Sequence, residues 1–339
     1  MTQEKITVAV VGCGYWGPNL IRNFNSLPGT TLKWIVDLDK KRLEKMEALY
    51  QHAQTSSDYE QVLNDEDVDA VIIAVPVQYH FDLAKAALQA GKHVFIEKPM
   101  ASSVAECKEL NALAAAGNRT LMVGHTFVYS SPVRKIKEII QSGDLGEVLY
   151  MSSRRLNLGL FQKDINVTWD LAPHDLAIMF DILGNQATSV NCVGSRNVSK
   201  NVEDITSLTI TMENGPLATI QSSWLDPNKI REMTFVGSKR MLVYNDIELF
   251  EKIKIYDKGV EASPGYNSFD EFAYAYHNGD MYSPALSMVE PLKVEAQHFI
   301  DCIHSGEKPQ SSGEEGLQVV QVLEASLRSL EQQGANVKI

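Results

Sequence analysis

Basic residues are scarce in this 339-residue chain: 31 Lys and Arg stand against 43 Asp and Glu, a formal net charge of −12. A surface this acidic repels phosphate backbones and anionic lipid, which argues against nucleic acid and membrane surfaces as partners. Cysteine is sparse as well. Cys13, Cys107, Cys192 and Cys302 lie far apart with no CxxC and no Cys/His ligand spacing, so neither a disulfide framework nor a metal site is expected. Free thiols in a reducing cytoplasm are the expected state. Long apolar runs are missing too: the longest, Ala70 to Val77, contains Pro76 and falls far short of the roughly 20 residues that span a bilayer. The first residues carry neither the basic segment nor the cleavage site of a signal peptide. The sequons at Asn118, Asn166 and Asn197 are accordingly read as chance matches. There is no internal repeat and no low-complexity tract.

What is present is an ordinary globular composition, 44% apolar and 22% charged, at a length that suits two domains. Ile6 to Val11 is a continuous apolar run that stops at Gly12, the pattern of a strand buried on both faces. A short helix over Asn19 to Leu27 and a strand over Leu32 to Val36 complete a βαβ unit. Helices near Lys41 to Tyr50, Phe81 to Ala90 and Val104 to Ala116 then alternate with strands over Ala70 to Val75, His93 to Ile96 and Leu121 to Val123. The expectation is an α/β chain whose N-terminal domain, 1–124, is a doubly wound parallel sheet. In 125–339 the rhythm changes to one helix over Pro173 to Leu183 followed by alternating strands, with a hairpin signal at Asn214-Gly215. This second domain is expected to be α+β with a large, open, mostly antiparallel sheet. Asp257 to Ser287 reads as a long loop or subunit-facing excursion, and two helices near Pro291 to His304 and Gly313 to Gln332 close the chain.

Gly12-Cys13-Gly14-Tyr15-Trp16-Gly17 follows a strand and opens a helix, the setting in which GxGxxG binds a dinucleotide. Gly12 makes the turn, Gly14 admits the pyrophosphate, and Gly17 lets the helix pack on the strand. Asp37 ends the second strand 20 residues beyond Gly17, where a carboxylate bonds the ribose hydroxyls of NAD and repels the phosphate of NADP. NAD is therefore favoured over NADP. Glu97-Lys98-Pro99 follows the next-to-last parallel strand, so Lys98 falls at the ligand-binding edge, where an ammonium can stabilise a developing alkoxide. Read locally, a surface lysine paired with Glu97 fits equally well. In Asp170-Leu171-Ala172-Pro173-His174, Pro173 favours a first helical turn and puts Asp170 near the N-cap with His174 on a similar face. Histidine suits taking a hydroxyl proton near neutral pH, and a carboxylate can orient it. A capping Asp beside a core histidine is the competing reading.

Together these motifs resemble the Gfo/Idh/MocA family of oxidoreductases, which includes glucose-fructose oxidoreductase and inositol dehydrogenase. Pro291 to Phe299 and Gly313 to Leu317 also look like that family's C-terminal helices. The resemblance implies a Rossmann domain, a second domain whose open sheet serves oligomerisation as a homodimer or homotetramer, and chemistry in the cleft between them. It makes His174 the acid/base, Asp170 its orienting carboxylate and Lys98 the group that polarises the reacting oxygen, and it suggests a cis Lys98-Pro99 bond. Pro76 and His80 match the family's TPNxxH region, with Val77 in place of Asn. The cofactor set is thus Gly12, Gly14, Tyr15, Trp16, Gly17, Asp37, Pro76, His80, Glu97 and Lys98.

Ser152 to Asp170 carries Arg154, Arg155, Asn157, Gln162, Lys163 and Asn166 and would lie beside that cleft. Two arginines there suggest phosphate recognition, although in a strand they point to opposite faces, and Arg155 is taken as the reader. With Gly124-His125-Thr126-Phe127, the stretch looks like relatives that oxidise nucleotide sugars, often at C3. Substrate residues are then Lys98, His125, Arg155, Asn157, Asn166, Asp170 and His174. The leading expectation is NAD-dependent oxidation or reduction of a secondary ring hydroxyl on a nucleotide sugar. Free sugars or inositol, an NAD-dependent glycosidase, and a non-catalytic NAD-binding regulator are the alternatives.

Overall fold

The computed structural model describes residues 4–159, 161–162, 165–184, 186–198, 200–213, 215–262 and 274–339. Five of its first six strands are those that the apolar runs require, and the short polar strand Gln54–Ser56 is an addition to them. β1 (Ile6–Val11), β2 (Thr30–Val36), β3 (Gln54–Ser56), β4 (Ala70–Ile73), β5 (His93–Glu97) and β6 (Leu121–Gly124) form one sheet in the order β3-β2-β1-β4-β5-β6. Every pairing is parallel. The helices between them are α1 (Gly17–Ser26), α2 (Lys40–Leu49), α3 (Glu60–Leu63), α4 (His80–Gln89) and α5 (Val104–Gly117). The strand order reverses at β1, between β2 and β4. In such sheets the ligand crevice opens outside the carboxyl ends of the strands at that point, where the glycine loop sits.

The chain continues with α6 (Ser131–Gln141), β7 (Val148–Leu158), α7 (Val167–Leu183), β8 (Ala187–Ser195), β9 (Ile205–Met212), β10 (Leu217–Ser223), β11 (Leu225–Gly237), β12 (Met241–Asn245), β13 (Ile253–Ala262) and β14 (Tyr274–Tyr282). It closes with α8 (Pro291–Ser305), α9 (Gly313–Glu331) and β15 (Val337–Lys338). The second sheet runs β14-β13-β12-β11-β7-β10-β9-β8-β15. It is antiparallel except where β10 joins β7 in parallel. The expected fold class, a Rossmann-like sheet followed by a large, mostly antiparallel one, is the fold class found.

Two points differ from the reading of the sequence. The chain divides into Met1–Ser130 with Val289–Gln321, and Ser131–Met288 with Val322–Ile339, rather than into two consecutive blocks meeting at 124/125. The physical reason is α8. Its Phe299 meets Phe24 of α1 and Phe95 of β5 edge-on at 6.2 and 5.7 Å, so the C-terminal helix completes the core of the first unit. The second correction concerns Asp257 to Ser287, which contains most of β13 and all of β14, paired antiparallel. Residues 263–273 of that stretch lie outside the described residues, as do Asn214 of the expected hairpin turn and Lys163. The strands flanking Asn214 do pair antiparallel, with Ala218 opposite Ile210.

Candidate active site

In the first unit the glycine loop is shaped by what a side chain would strike. Gly12 has φ +99°, and a Cβ there would press on the carbonyl of Ala74; at Gly17 it would collide with the carbonyl of Gly12. Gly14 faces open space instead, its only neighbour among the described residues being the Arg42 guanidinium, 3.7 Å from where a Cβ would lie. α1 begins without a side-chain cap and without an acidic residue in its first turn, which leaves N–H groups and the positive end of the helix for phosphate. Tyr15 stands in solvent and Trp16 is marginally exposed. Asp37 is held in place: Oδ2 accepts from the backbone N–H of Cys13 at 2.6 Å and Oδ1 from that of Asp39 at 2.8 Å. Arg42 lies 3.6 Å from the same carboxylate. The residues that are present therefore fit NAD. Cys13 is no nucleophile, because burial and Asp37 push its thiol up to about 12.

Lys98 follows β5, half-buried, with a cis peptide to Pro99. His80 is 1% exposed, and its Nδ1 and Nε2 lie 2.8 Å from the carbonyls of Pro99 and Val75. It ties the loop after β4 to the lysine loop, while burial lowers its pKa. His80 thus shapes the loop in which Pro76, at the turn before it, is exposed. Glu97 accepts from the N–H of Lys98 through Oε2, whereas its Oε1 is sealed without a hydrogen-bond partner among the described residues. Burial pushes Glu97 up to about 7 against the opposing pull of Lys98.

Beside it lie two groups that are wholly buried. Glu295 of α8 accepts from Thr126 Oγ1 at 2.7 Å and is raised well above the usual carboxyl range by burial and by Glu97. His125 is 2% exposed, neither ring nitrogen has a hydrogen-bond partner among the described residues, and burial followed by Lys98 lowers it to about 3. His125 is thus a neutral interior ring. The direct substrate contact expected of it does not suit this burial.

In the second unit, α7 starts six residues before Pro173 because Asn166, not Asp170, is the N-cap. The Asn166 side chain accepts from the N–H of Trp169 at 3.1 Å and donates to Glu203 at 3.2 Å, so it is a cap rather than a substrate contact. Pro173 lies inside the helix and supplies no N–H to the carbonyl of Trp169. Asp170 and His174 stand at i and i+4 on one face, both half-buried. Asp170 Oδ2 accepts from the indole Nε1 of Trp224 at 2.9 Å. Asn157 is half-buried on β7.

Arg155 is not a phosphate reader. It points inward from β7, and its Nε and Nη2 bond both oxygens of the buried Asp175 at 3.0 and 2.8 Å. Arg154, one residue away, points out and pairs with Glu232 at 2.7 Å. The alternation that warned of opposite faces was right, and the buried face took the arginine chosen as the reader.

An oxidoreductase family with an NAD-binding Rossmann fold matches residues 6–125, and the GFO/IDH/MocA C-terminal domain matches 133–243, together more than half of the chain. The chain belongs to the Gfo/Idh/MocA family. Among its relatives, the uncharacterized oxidoreductase YrbE of Bacillus subtilis is 30% identical over 66% of this chain and 68% of its own length. Inositol 2-dehydrogenase of Salmonella typhimurium is 29% identical over 57% of this chain and 59% of the relative. UDP-N-acetylglucosamine 3-dehydrogenase GnnA from Acidithiobacillus ferrooxidans superposes with a TM-score of 0.82 at 22% identity, covering 97% of this chain and 99% of that one, a likeness of fold. As a Gfo/Idh/MocA member the chain is an NAD-binding oxidoreductase.

Among the described residues, no group of three or more His, Cys, Asp or Glu could hold a metal ion, and no helix is long and apolar enough to cross a membrane. The sequence reading missed Trp224, Asp175 and Glu295. Only Glu295 carried a local signal, an acid on the apolar face of α8 between Leu292 and Phe299, all three of them buried.

Proposed function

We propose that this protein catalyses reversible NAD-dependent oxidation of a secondary ring hydroxyl of a sugar. The observation that carries the reading is the Asp170–His174 pair on one face of α7, with Asp170 pinned by Trp224, in a chain whose other unit is built for a dinucleotide. Bound NAD supplies the hydride acceptor. The carbinol carbon gives up its hydride and becomes a ketone while His174 takes the hydroxyl proton. Asp170 orients the imidazole and stabilises its charged form, and Lys98 stabilises the oxygen as charge develops on it. Gly12, Gly14, Gly17 and Asp37 hold the cofactor.

A nucleotide-activated sugar oxidised at C3 is the first substrate candidate, supported by the likeness of fold to the UDP-N-acetylglucosamine 3-dehydrogenase. Inositol or a free sugar is the second, favoured by the inositol dehydrogenase relative and by the enclosure of Arg155, which removes one argument for phosphate recognition. A panel of UDP-sugars, dTDP-sugars, free hexoses and inositols, read by the absorbance of reduced nicotinamide, separates them. Signal with nucleotide sugars alone supports the first; signal with inositols or hexoses replaces it with the second. The same reading includes self-association through the second sheet, supported by exposed Leu149, Val193, Leu217, Val260 and Tyr276 on its strands. A reducing cytoplasm is the proposed compartment, supported by four buried, unbridged cysteines.

A further inference from the structure

Trp224 sits between β10 and β11 and is fully buried. Its backbone is fixed on both sides: its N–H donates to the carbonyl of Asp204, and its own carbonyl accepts from Gly159, each at 3.0 Å. Gly159 has no room for a side chain, since a Cβ there would run into the indole ring. Phe161 covers the ring at 5.5 Å between centroids. A buried indole N–H needs an acceptor, and this one has been given a carboxylate oxygen, Asp170 Oδ2. A hydrogen bond to one carboxylate oxygen fixes the rotation of the whole group and so the direction of the other oxygen. With its backbone bonded on both sides and its ring flanked by Gly159 and Phe161, the indole couples the sheet to a helix side chain.

We propose that Trp224 is a positioning residue for the Asp170–His174 pair, acting through its indole N–H on Asp170 Oδ2, with Gly159 retained to seat the ring. The inference rests on the reading of Asp170 as the partner of His174. It makes Trp224 a determinant of turnover through Asp170.

The test is a cycle of wild type, Trp224→Phe, Asp170→Asn and the double variant. With the substrate found in the panel, Trp224→Phe lowers kcat about tenfold, the usual scale for losing a hydrogen bond to a charged group. KM and the affinity for NADH, read by its fluorescence, stay within about twofold. In the Asp170→Asn background the same change has less than about a twofold effect, because the acceptor's charge is already gone. A readout that needs no substrate is ¹⁵N NMR of the His174 ring: Trp224→Phe alters its tautomer ratio in the wild-type background and not in Asp170→Asn. Equal kcat in wild type and Trp224→Phe, an unchanged His174 tautomer, or effects that add across the cycle would overturn the proposal. Wild-type turnover in Asp170→Asn would instead overturn the underlying reading of Asp170. Should Trp224→Phe not fold, benzothienylalanine at position 224 keeps the bicyclic shape without the N–H and carries the same expectations.

Discussion

Replacing Glu97 by Gln should make the protein gain stability at alkaline pH relative to acid pH. In the folded chain Glu97 is pushed from 4.5 up to about 7, first by burial; Lys98, the backbone N–H of Lys98 and Trp16 oppose the shift. Glu295, buried on α8, is itself raised by Glu97, and His125 close by is neutral. A carboxyl whose folded pKa is raised holds its proton more tightly folded than unfolded. Its favourable contribution is complete below about 4.5, is lost as pH rises toward about 7, and stays lost above that. The span corresponds to about 3 kcal/mol at 1.36 kcal/mol per decade of proton affinity. For 339 residues, at about 2.1 cal/mol/K of unfolding entropy per residue, that is roughly 4 °C in melting temperature. His125 works in the opposite sense: lowered to about 3, it loses its contribution as pH falls from 6.5, and that effect is common to wild type and variant. Calorimetric melting of both proteins at pH 5 and pH 8 isolates the Glu97 contribution. The melting temperature of Glu97→Gln relative to wild type should rise by roughly that amount between the two pH values. A difference that is the same at both would refute the burial argument.

Arg155→Met leaves the Asp175 carboxylate buried without its bidentate partner, so melting should reveal a loss of about 3–5 kcal/mol with NADH affinity retained. If melting is unchanged, the pair is not the anchor of β7 to α7. Asp37→Ala removes the acceptor of two backbone N–H groups as well as the carboxylate that meets ribose hydroxyls. NADH fluorescence titration should then show about a tenfold weaker Kd, and NADPH a smaller loss, which narrows the preference between them. An unaltered ratio of the two affinities would remove Asp37 from cofactor choice.

Most of the first unit was legible because its signals are local; Gln54–Ser56 and Glu60–Leu63 are too short for a period to show. The apolar run into Gly12, the glycine spacing and Asp37 lie within a few dozen residues, and each is dictated by sterics that a sequence displays. Three elements of the first half of the second unit escaped for different reasons. α6 has an amphipathic pattern, with Val133, Ile136 and Ile139 buried, that the reading passed over. β8 mixes polar and small residues because alternate positions are exposed, and its pairing with β9 defines it more than its composition does. α7 was begun too late because Pro173 was given the place of a first-turn proline, while Asn166 upstream is the true cap. At the proposed site, the placement of Asp170 and His174 one turn apart on a single helix was readable from their spacing. Trp224 and Asp175 were not, since they meet Asp170 and Arg155 across 54 and 20 residues and only the folded sheet brings them together.

If His174 is the base for hydride transfer, the rate of NADH formation in wild type and His174→Ala, with the active sugar from the panel, is decisive. Wild type should form one NADH per ketone, and the variant should lose about 100-fold or more in kcat with NADH affinity unchanged. Near wild-type turnover in His174→Ala would contradict it.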